Sequence, residues 1–428
     1  MSAGTGATQV RRKAPETGEQ LPGDLKMTRT LWPILLASAV GLLPFTIFST
    51  YLVPIAEGSG SSVAAMGGLR GLGGLAALLV GTALAPLIDR VRKEWAAAGG
   101  LGVLAVSTAL GASGEYVLLV AFCLLVGAGT AVLNPALTAA AADRFGSGKA
   151  ASRAATLVTA TQSMTAMLAA PVIALPAMFW GWEGDLLAVT AVSLLLAVVL
   201  LWRRTPPGAE EEADSGEKLT YFASFKALAA VRGAVPLLSI SLLRTAVFMG
   251  YLAYLAAYYD SRFQLDPGLF SFVWTLSGAS FFVANLLTGR LTNSVQQGVR
   301  TEYLLVLGLV AVLVTVVGFY FTHWLPLALA LTSLHAASHA VVAACAVSLL
   351  VRRCGPLRGS ALSINAAGMS LGVFLGASLG GLGLGIAGYA GVAVAFGVLT
   401  AAALGAGFLV SRIPVGQGGN GREEYGSS

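Results

Sequence analysis

Charge is what this sequence has least of. Only 11% of its residues are Asp, Glu, Lys or Arg, against about 25% in a typical soluble domain. A chain so poor in charge is excluded from ordinary aqueous surfaces, and lipid is the solvent that suits it. Cysteine is nearly absent too. Cys123 and Cys345 fall inside apolar runs and Cys354 beside a basic loop, which excludes a disulfide framework. No A-x-A cleavage site follows the first apolar run, so that run is expected to be retained. The glycine-rich run LGVFLGASLGGLGLG (371–385) carries no Gly-Lys-Ser and lies in an apolar stretch, which argues for close helix packing over a phosphate loop. No nucleotide-binding motif appears elsewhere. No nucleophile with a base, and no complete metal shell, lies at membrane depth, so neither an enzyme, a cofactor nor a metal centre is expected. A membrane-embedded enzyme or scaffold is kept as a remote alternative.

What the chain does have is apolar length: 56% hydrophobic residues and a mean hydropathy of +0.79. Crossing a bilayer as a helix takes about 20 such residues. Twelve windows qualify: 31–56, 63–88, 96–113, 117–142, 154–180 and 186–202, then 235–259, 268–289, 303–321, 324–350, 360–386 and 389–411. Backbone amides in lipid must be satisfied within the segment, which makes these windows helices, numbered here spans 1 to 12. The expected organisation is an N-terminal tail (1–29), a six-helix half (30–202), a central linker (203–234), a second six-helix half (235–411) and a C-terminal tail (412–428). Within the linker, 205–218 is polar and acidic, and YFASFKALAAVRG (221–233) suits a short interfacial helix.

The basic residues are distributed unevenly. With an even number of spans both termini share one side, and that side takes 23 of the 26 Lys and Arg. The opposite loops offer Arg262 with Glu57, Glu115, Glu183, Asp185, Asp260 and Asp266. Basic loops stay in the cytoplasm, so both termini are expected there, in the inner membrane of a bacterium. The net charge of +6 is then a matter of topology, and no nucleic-acid partner is implied.

The two halves echo each other. APLID (85–89) ends span 2 and GRLTN (289–293) ends span 8; Arg153 precedes span 5 and Arg358 span 11; GW (181–182) and GY (388–389) mark the turns into spans 6 and 12. The offsets, 204, 205 and 207, are nearly constant, as in a duplicated unit. Two parallel halves around a central site is a transporter architecture.

APLIDRVRK (85–93) resembles the loop 2–3 signature of the major facilitator superfamily, G-x-L-x-D-R-x-G-R-R/K, through Leu87, Asp89, Arg90, Arg92 and Lys93. It has Ala85 for the glycine and is one residue short. GAGTAVLNPALTAAAADRFG (127–146) is similar to that family's span 4, and AAPVIALPAMFWGW (169–182) looks like its antiporter motif with most glycines replaced by alanine. The resemblance implies an all-α membrane protein of twelve transmembrane helices in two pseudo-symmetric halves. It also implies a conformational latch at Asp89 and Arg90, one-sided because Asn293 replaces the second acid; a simple topological role for the basic residues is the other reading. The family's drug antiporters often carry an arginine where this chain has Cys123, so their proton relay does not transfer intact.

Two ionised side chains fall well within the spans, Arg70 and Arg244. An arginine at a helix centre costs roughly 2.5–3.5 kcal/mol and so normally faces protein or water with a function. At 1.5 Å per residue Arg244 lies about 14 Å along span 7, near mid-bilayer, and Arg70 about 10 Å into span 2. No carboxylate sits deep enough to pair with either. An unpaired guanidinium facing a cavity suits a carboxylate or phosphate; the alternative is that each bonds helix-end carbonyls. Tyr251, Tyr254 and Tyr258 fall within about 80° of Arg244 on the helical wheel, a face that reads as cavity lining. Trp274, Asn285 and Asn134 are further candidates for the substrate site, with Gln162, Asn365 and Phe281 as polar or aromatic neighbours.

His335 and His339, at i and i+4 in SLHAASHAVV, share one face of span 10. Three readings stand: a proton or substrate site, packing, and a metal site. The last lacks the glutamate and third ligand of H-E-x-x-H enzymes. The expectation is therefore a secondary transporter, monomeric, working by alternating access on a small-molecule substrate with protons as coupling ion. Export of a drug-like or metabolite compound, with an anionic substrate in view, is favoured by the span 5 motif; uptake or exchange of an organic anion is the alternative.

Overall fold

The structure is a computed structural model that describes residues 23–146, 149–203, 221–293 and 300–413. Every regular element among the described residues is a helix. Span 1 is broken into α1 (Asp24–Val40), α2 (Leu43–Thr50) and α3 (Leu52–Gly58). Pro44, near the start of α2, lacks the amide that would continue α1, and this accounts for the break at Gly41 and Leu42. Then come α4 (Val63–Arg90), α5 (Lys93–Gly111), α6 (Tyr116–Asp143) and the long α7 (Lys149–Trp202). The second half comprises α8 (Tyr221–Ala229), α9 (Ala234–Phe263), α10 (Pro267–Asn293), α11 (Thr301–Phe321), α12 (Leu325–Cys354) and α13 (Arg358–Arg412).

Two of these helices are each a pair of passes. α7 turns at Gly181 (φ 72°, ψ 177°) and α13 at Gly388 (φ 60°, ψ −151°). A positive φ suits glycine, which has no Cβ to clash. The GW and GY landmarks are therefore the same left-handed hinge used once in each half. Eight stretches of helix among the described residues are long and apolar enough to cross a membrane. Dividing 149–202 and 325–412 at their turns, and adding α5, brings the passes to twelve.

Two apolar cores result. One is built from α1 to α7, the other from α8 to α13. α9 belongs to both: Ala253, Tyr254 and Ala257 pack into the first, while Tyr251, Leu255, Tyr258 and Tyr259 pack into the second. The glycine-rich run lies in α13 and works as contact surface. A Cβ on Gly372 would meet the Leu242 carbonyl at 2.6 Å, and one on Gly250 the Gly376 carbonyl at 2.7 Å, so α9 and α13 touch backbone to backbone. α8 docks through Leu228, which is fully buried in the second core.

The acidic stretch 205–218 lies outside the described residues, as do most of the two tails; the first helix already begins at Asp24.

Candidate functional site

The halves are joined at the end away from the chain termini. Along α4, Ala64 lies against Gly381, Gly71 against Phe374 and Ala377, and Gly74 against Ser370 and Val373. These glycines admit α13 to van der Waals range, since a Cβ on Gly74 would meet the Ser370 carbonyl at 2.6 Å. Gly81, two turns nearer the termini, faces Ala131 of its own half instead. Two aromatic donors bridge the same closure. The Tyr254 hydroxyl, on α9, donates to the Ala377 carbonyl at 2.8 Å and reaches the Ala64 carbonyl of α4 at 3.4 Å. Trp274 Nε1 on α10 donates to the Ala166 carbonyl of α7 at 3.0 Å, beside the close approach of Gly278 to Met167.

Nearer the termini, on the far side of this closure, stands a polar belt. Counting 1.5 Å per residue from the helix ends on the terminus side, Asn134, Gln162, Arg244, Phe281 and His339 all lie about 14–22 Å in. Gln162 Nε2 donates to Asn134 Oδ1 at 3.2 Å in the first half. In the second half, Arg244 is 6% exposed and its Nη2 donates to Thr245 Oγ1 at 3.1 Å, on the very next residue. Among the described residues its Nε has no partner, and no acid acts on it electrostatically. Phe248, one turn further along α9, stacks on Phe281 (5.3 Å between ring centroids) and lies 4.9 Å from the His339 ring.

His335 and His339 contact each other with centroids 4.5 Å apart. His335 Nδ1 shares a 2.9 Å hydrogen bond with Thr315 Oγ1 of α11, and its ring faces Tyr251. His335 Nε2 and both nitrogens of His339 are buried without partners, and Arg244 is near enough to His339 to act on it electrostatically. Buried polar atoms are nearly always hydrogen-bonded. Four such nitrogens in one place (Arg244 Nε, His335 Nε2 and the two of His339) therefore mark a site prepared for something polar. Among the described residues there is no group of three potential metal ligands.

The other expected site residues divide. Tyr251, Tyr254 and Tyr258 line no open surface here: all three are 0% exposed. Tyr251 bonds Thr332 at 2.9 Å, and Tyr258 donates to the carbonyls of Phe319 (2.7 Å) and Thr322 (2.9 Å). The helical wheel sets their direction relative to Arg244, but all three rings are fully buried, so that direction leads into protein. Trp274 is likewise taken up by the closure. Asn285 is exposed, while Asn365 is buried with Oδ1 unpartnered. Arg70 sits in the closed part: its Nη1 donates to Ser49 Oγ at 2.8 Å and its guanidinium lies 5.8 Å from the Phe45 ring centre. Asp89 and Arg90 close α4, and their side chains lie outside the described residues.

One pair of features escaped the sequence reading. Glu94 at the start of α5 pairs with Arg144 at 3.5 Å, and Glu302 at the start of α11 pairs with Arg353 at 3.4 Å. The offsets, 208 and 209 residues, continue the internal repeat and were available as a signal. Asp185, expected in an outward loop, is instead 3% exposed and accepts a 2.8 Å bond from Trp180 Nε1.

The family model described as Major Facilitator Superfamily matches residues 34–301. No curated protein sequence matches the chain. Several solved structures share its architecture. A bacterial homologue of the human lysosomal transporter Spinster, in an inward-facing and occupied conformation, has a TM-score of 0.72 at 14% identity, covering 91% of this chain and 98% of that one. The nucleoside transporter NupG has a TM-score of 0.69 at 16% identity, with 91% and 98% covered. The human organic anion transporter MFSD10 (TETRAN) has a TM-score of 0.59 at 18% identity, with 90% and 99% covered. At these identities the likeness concerns the fold alone.

Proposed function

Since this chain belongs to the Major Facilitator Superfamily, we propose that it is a proton-coupled secondary transporter of small organic anions, with Arg244 as the anchor for the anionic group. The observation that carries this reading is the state of that guanidinium. It is buried, and among the described residues it is bonded only to its neighbour Thr245 and no acid acts on it. Leaving a charge buried and unpaired is costly, and an incoming carboxylate or phosphate supplies the missing partner through the planar fork. The Phe248–Phe281 pair provides apolar surface beside the charge, and the Asn134–Gln162 amides offer a donor and an acceptor from the other half. His335 and His339 are the imidazoles within the same belt and the candidates for carrying the coupling proton.

In this reading the halves rock about the belt. The conformation described here is closed by α4 against α13 and by Trp274 against α7; the opposite conformation requires those contacts to part and the terminus-side ends of the halves to meet. Asp89 and Arg90 would latch that second closure. The membrane is the bacterial inner membrane with both termini cytoplasmic. Direction depends on the sign of the coupling between proton and anion. Export driven by the proton gradient requires the two to compete, whereas uptake requires them to travel together.

The test is thermal stability of the purified protein against matched panels of organic anions, cations and neutral amphiphiles. A ligand at 100 times its dissociation constant adds about 2.7 kcal/mol, a readable shift. Anions are expected to stabilise the wild type and not Arg244→Ala. Stabilisation by cations or neutral amphiphiles alone would remove the anion site.

A further inference from the structure

We infer that an anion on Arg244 and a proton on His339 bind as a linked pair, so that this protein carries an aromatic carboxylate together with a proton. The inference rests on the anion-site reading above and gives the coupling its sign. It starts from the groups that face His339. From α9 these are the Arg244 guanidinium and the Phe248 ring, and from its own helix His335, 4.5 Å away; Thr315 of α11 is engaged with His335. Tyr251 of α9 lies against His335. Among the described residues no carboxylate acts on either Arg244 or His339.

The site is therefore a buried guanidinium next to a buried imidazole with both nitrogens unpartnered, and among the described residues nothing negative acts on either. A second positive charge added there would face the first across a medium of low dielectric, where like charges repel strongly. A carboxylate seated on Arg244 removes that repulsion and supplies an acceptor for the protonated ring. By thermodynamic linkage the proton must in turn tighten the carboxylate by the same factor. A cationic substrate would produce the opposite sign, with proton and substrate excluding one another. The two histidines also divide the work. His335 has Nδ1 committed to Thr315, whereas both nitrogens of His339 are unpartnered. His339 is thus the proton acceptor and His335 its positioning neighbour. The Phe248–Phe281 pair selects an aromatic body for the carboxylate. With a proton gradient directed toward the terminus side, co-binding of this sign drives uptake rather than export.

The experiment is isothermal titration of the full-length protein in detergent with benzoate, which stays fully ionised between pH 6 and 8. Paired buffers of different ionisation enthalpy count the protons that move with it. Net uptake of up to one proton per benzoate is expected, with Kd rising by up to about tenfold per pH unit, the limit for one linked proton. Arg244→Lys should bind more weakly with the uptake retained, His339→Gln should bind with none and with a pH-independent Kd, and His335→Gln should keep the uptake. Arg244-dependent benzoate binding without proton uptake, with proton release, or with uptake unchanged in His339→Gln would overturn the linkage while leaving the anion site standing. Failure of benzoate to bind the wild type, or equal binding to Arg244→Ala, would overturn the anion site itself and this inference with it.

Discussion

Each half of this molecule buries one arginine at membrane depth, and the two are held in different ways. Arg70 is tied across helices: Ser49 of α2 accepts its Nη1 at 2.8 Å, and the Phe45 ring lies beside it. Arg244 is tied to Thr245, its own neighbour in sequence, through Nη2 alone, so no second helix holds its guanidinium. Arg70 also lies on the helix whose Gly71 and Gly74 form the closure, while Arg244 faces the belt of unpartnered polar atoms. The same residue type at similar burial thus reaches across helices in one half and stays on its own helix in the other. Exposure does not separate them, at 7% and 6%, and each has an unpartnered Nε; the place of the hydroxyl partner does.

The sharpest way to break this contrast is to remove each arginine in turn. Arg244→Ala should abolish transport in proteoliposomes, by about 100-fold or more, with expression and monodispersity intact; near-normal flux would end the distinction. Next in size is the closure itself. Gly74→Leu places a side chain where α13 now lies, so the closed conformation should be disfavoured by at least about 1–3 kcal/mol of overpacking. Transport should fall, and single cysteines introduced along α4 should become accessible to reagents from the side away from the termini; unchanged labelling would show that the closure tolerates bulk.

Arg70→Ala is expected to act on stability instead. It deletes a charge-assisted bond of about 1.5–3 kcal/mol, so the melting temperature should drop while benzoate still stabilises the variant. Loss of ligand response with no loss of stability would place Arg70 in the binding site alongside Arg244. The smallest effect belongs to Trp274→Phe, which keeps the ring and removes one hydrogen bond between the halves. A net loss of about 1 kcal/mol corresponds to roughly a fivefold shift in the conformational ratio, measurable as a change in labelling rate at the closure. No change would mean that the glycine contacts alone hold it.

Much of this was legible in the residues. Apolar runs of about 20 residues allow only helices in lipid, and the turns at Gly181 and Gly388 were marked by their repeat before their left-handed backbone was seen. Some readings could not be reached that way. The wheel relates Tyr251, Tyr254 and Tyr258 to Arg244 and so to a cavity face, yet all three are fully buried and their hydroxyls are spent on Thr332 and on backbone carbonyls. The spacing of Trp274 suggests a substrate-facing ring, and its indole is committed to the Ala166 carbonyl.

By itself the sequence determined the all-helical class and the order of the long apolar helices. Those properties follow from local period, length and spacing along one chain. Only the tertiary structure decided which buried polar groups are satisfied and which are waiting. A hydrogen-bond partner such as Ser49 for Arg70 Nη1, or the lack of one for both nitrogens of His339, depends on what a distant helix brings alongside.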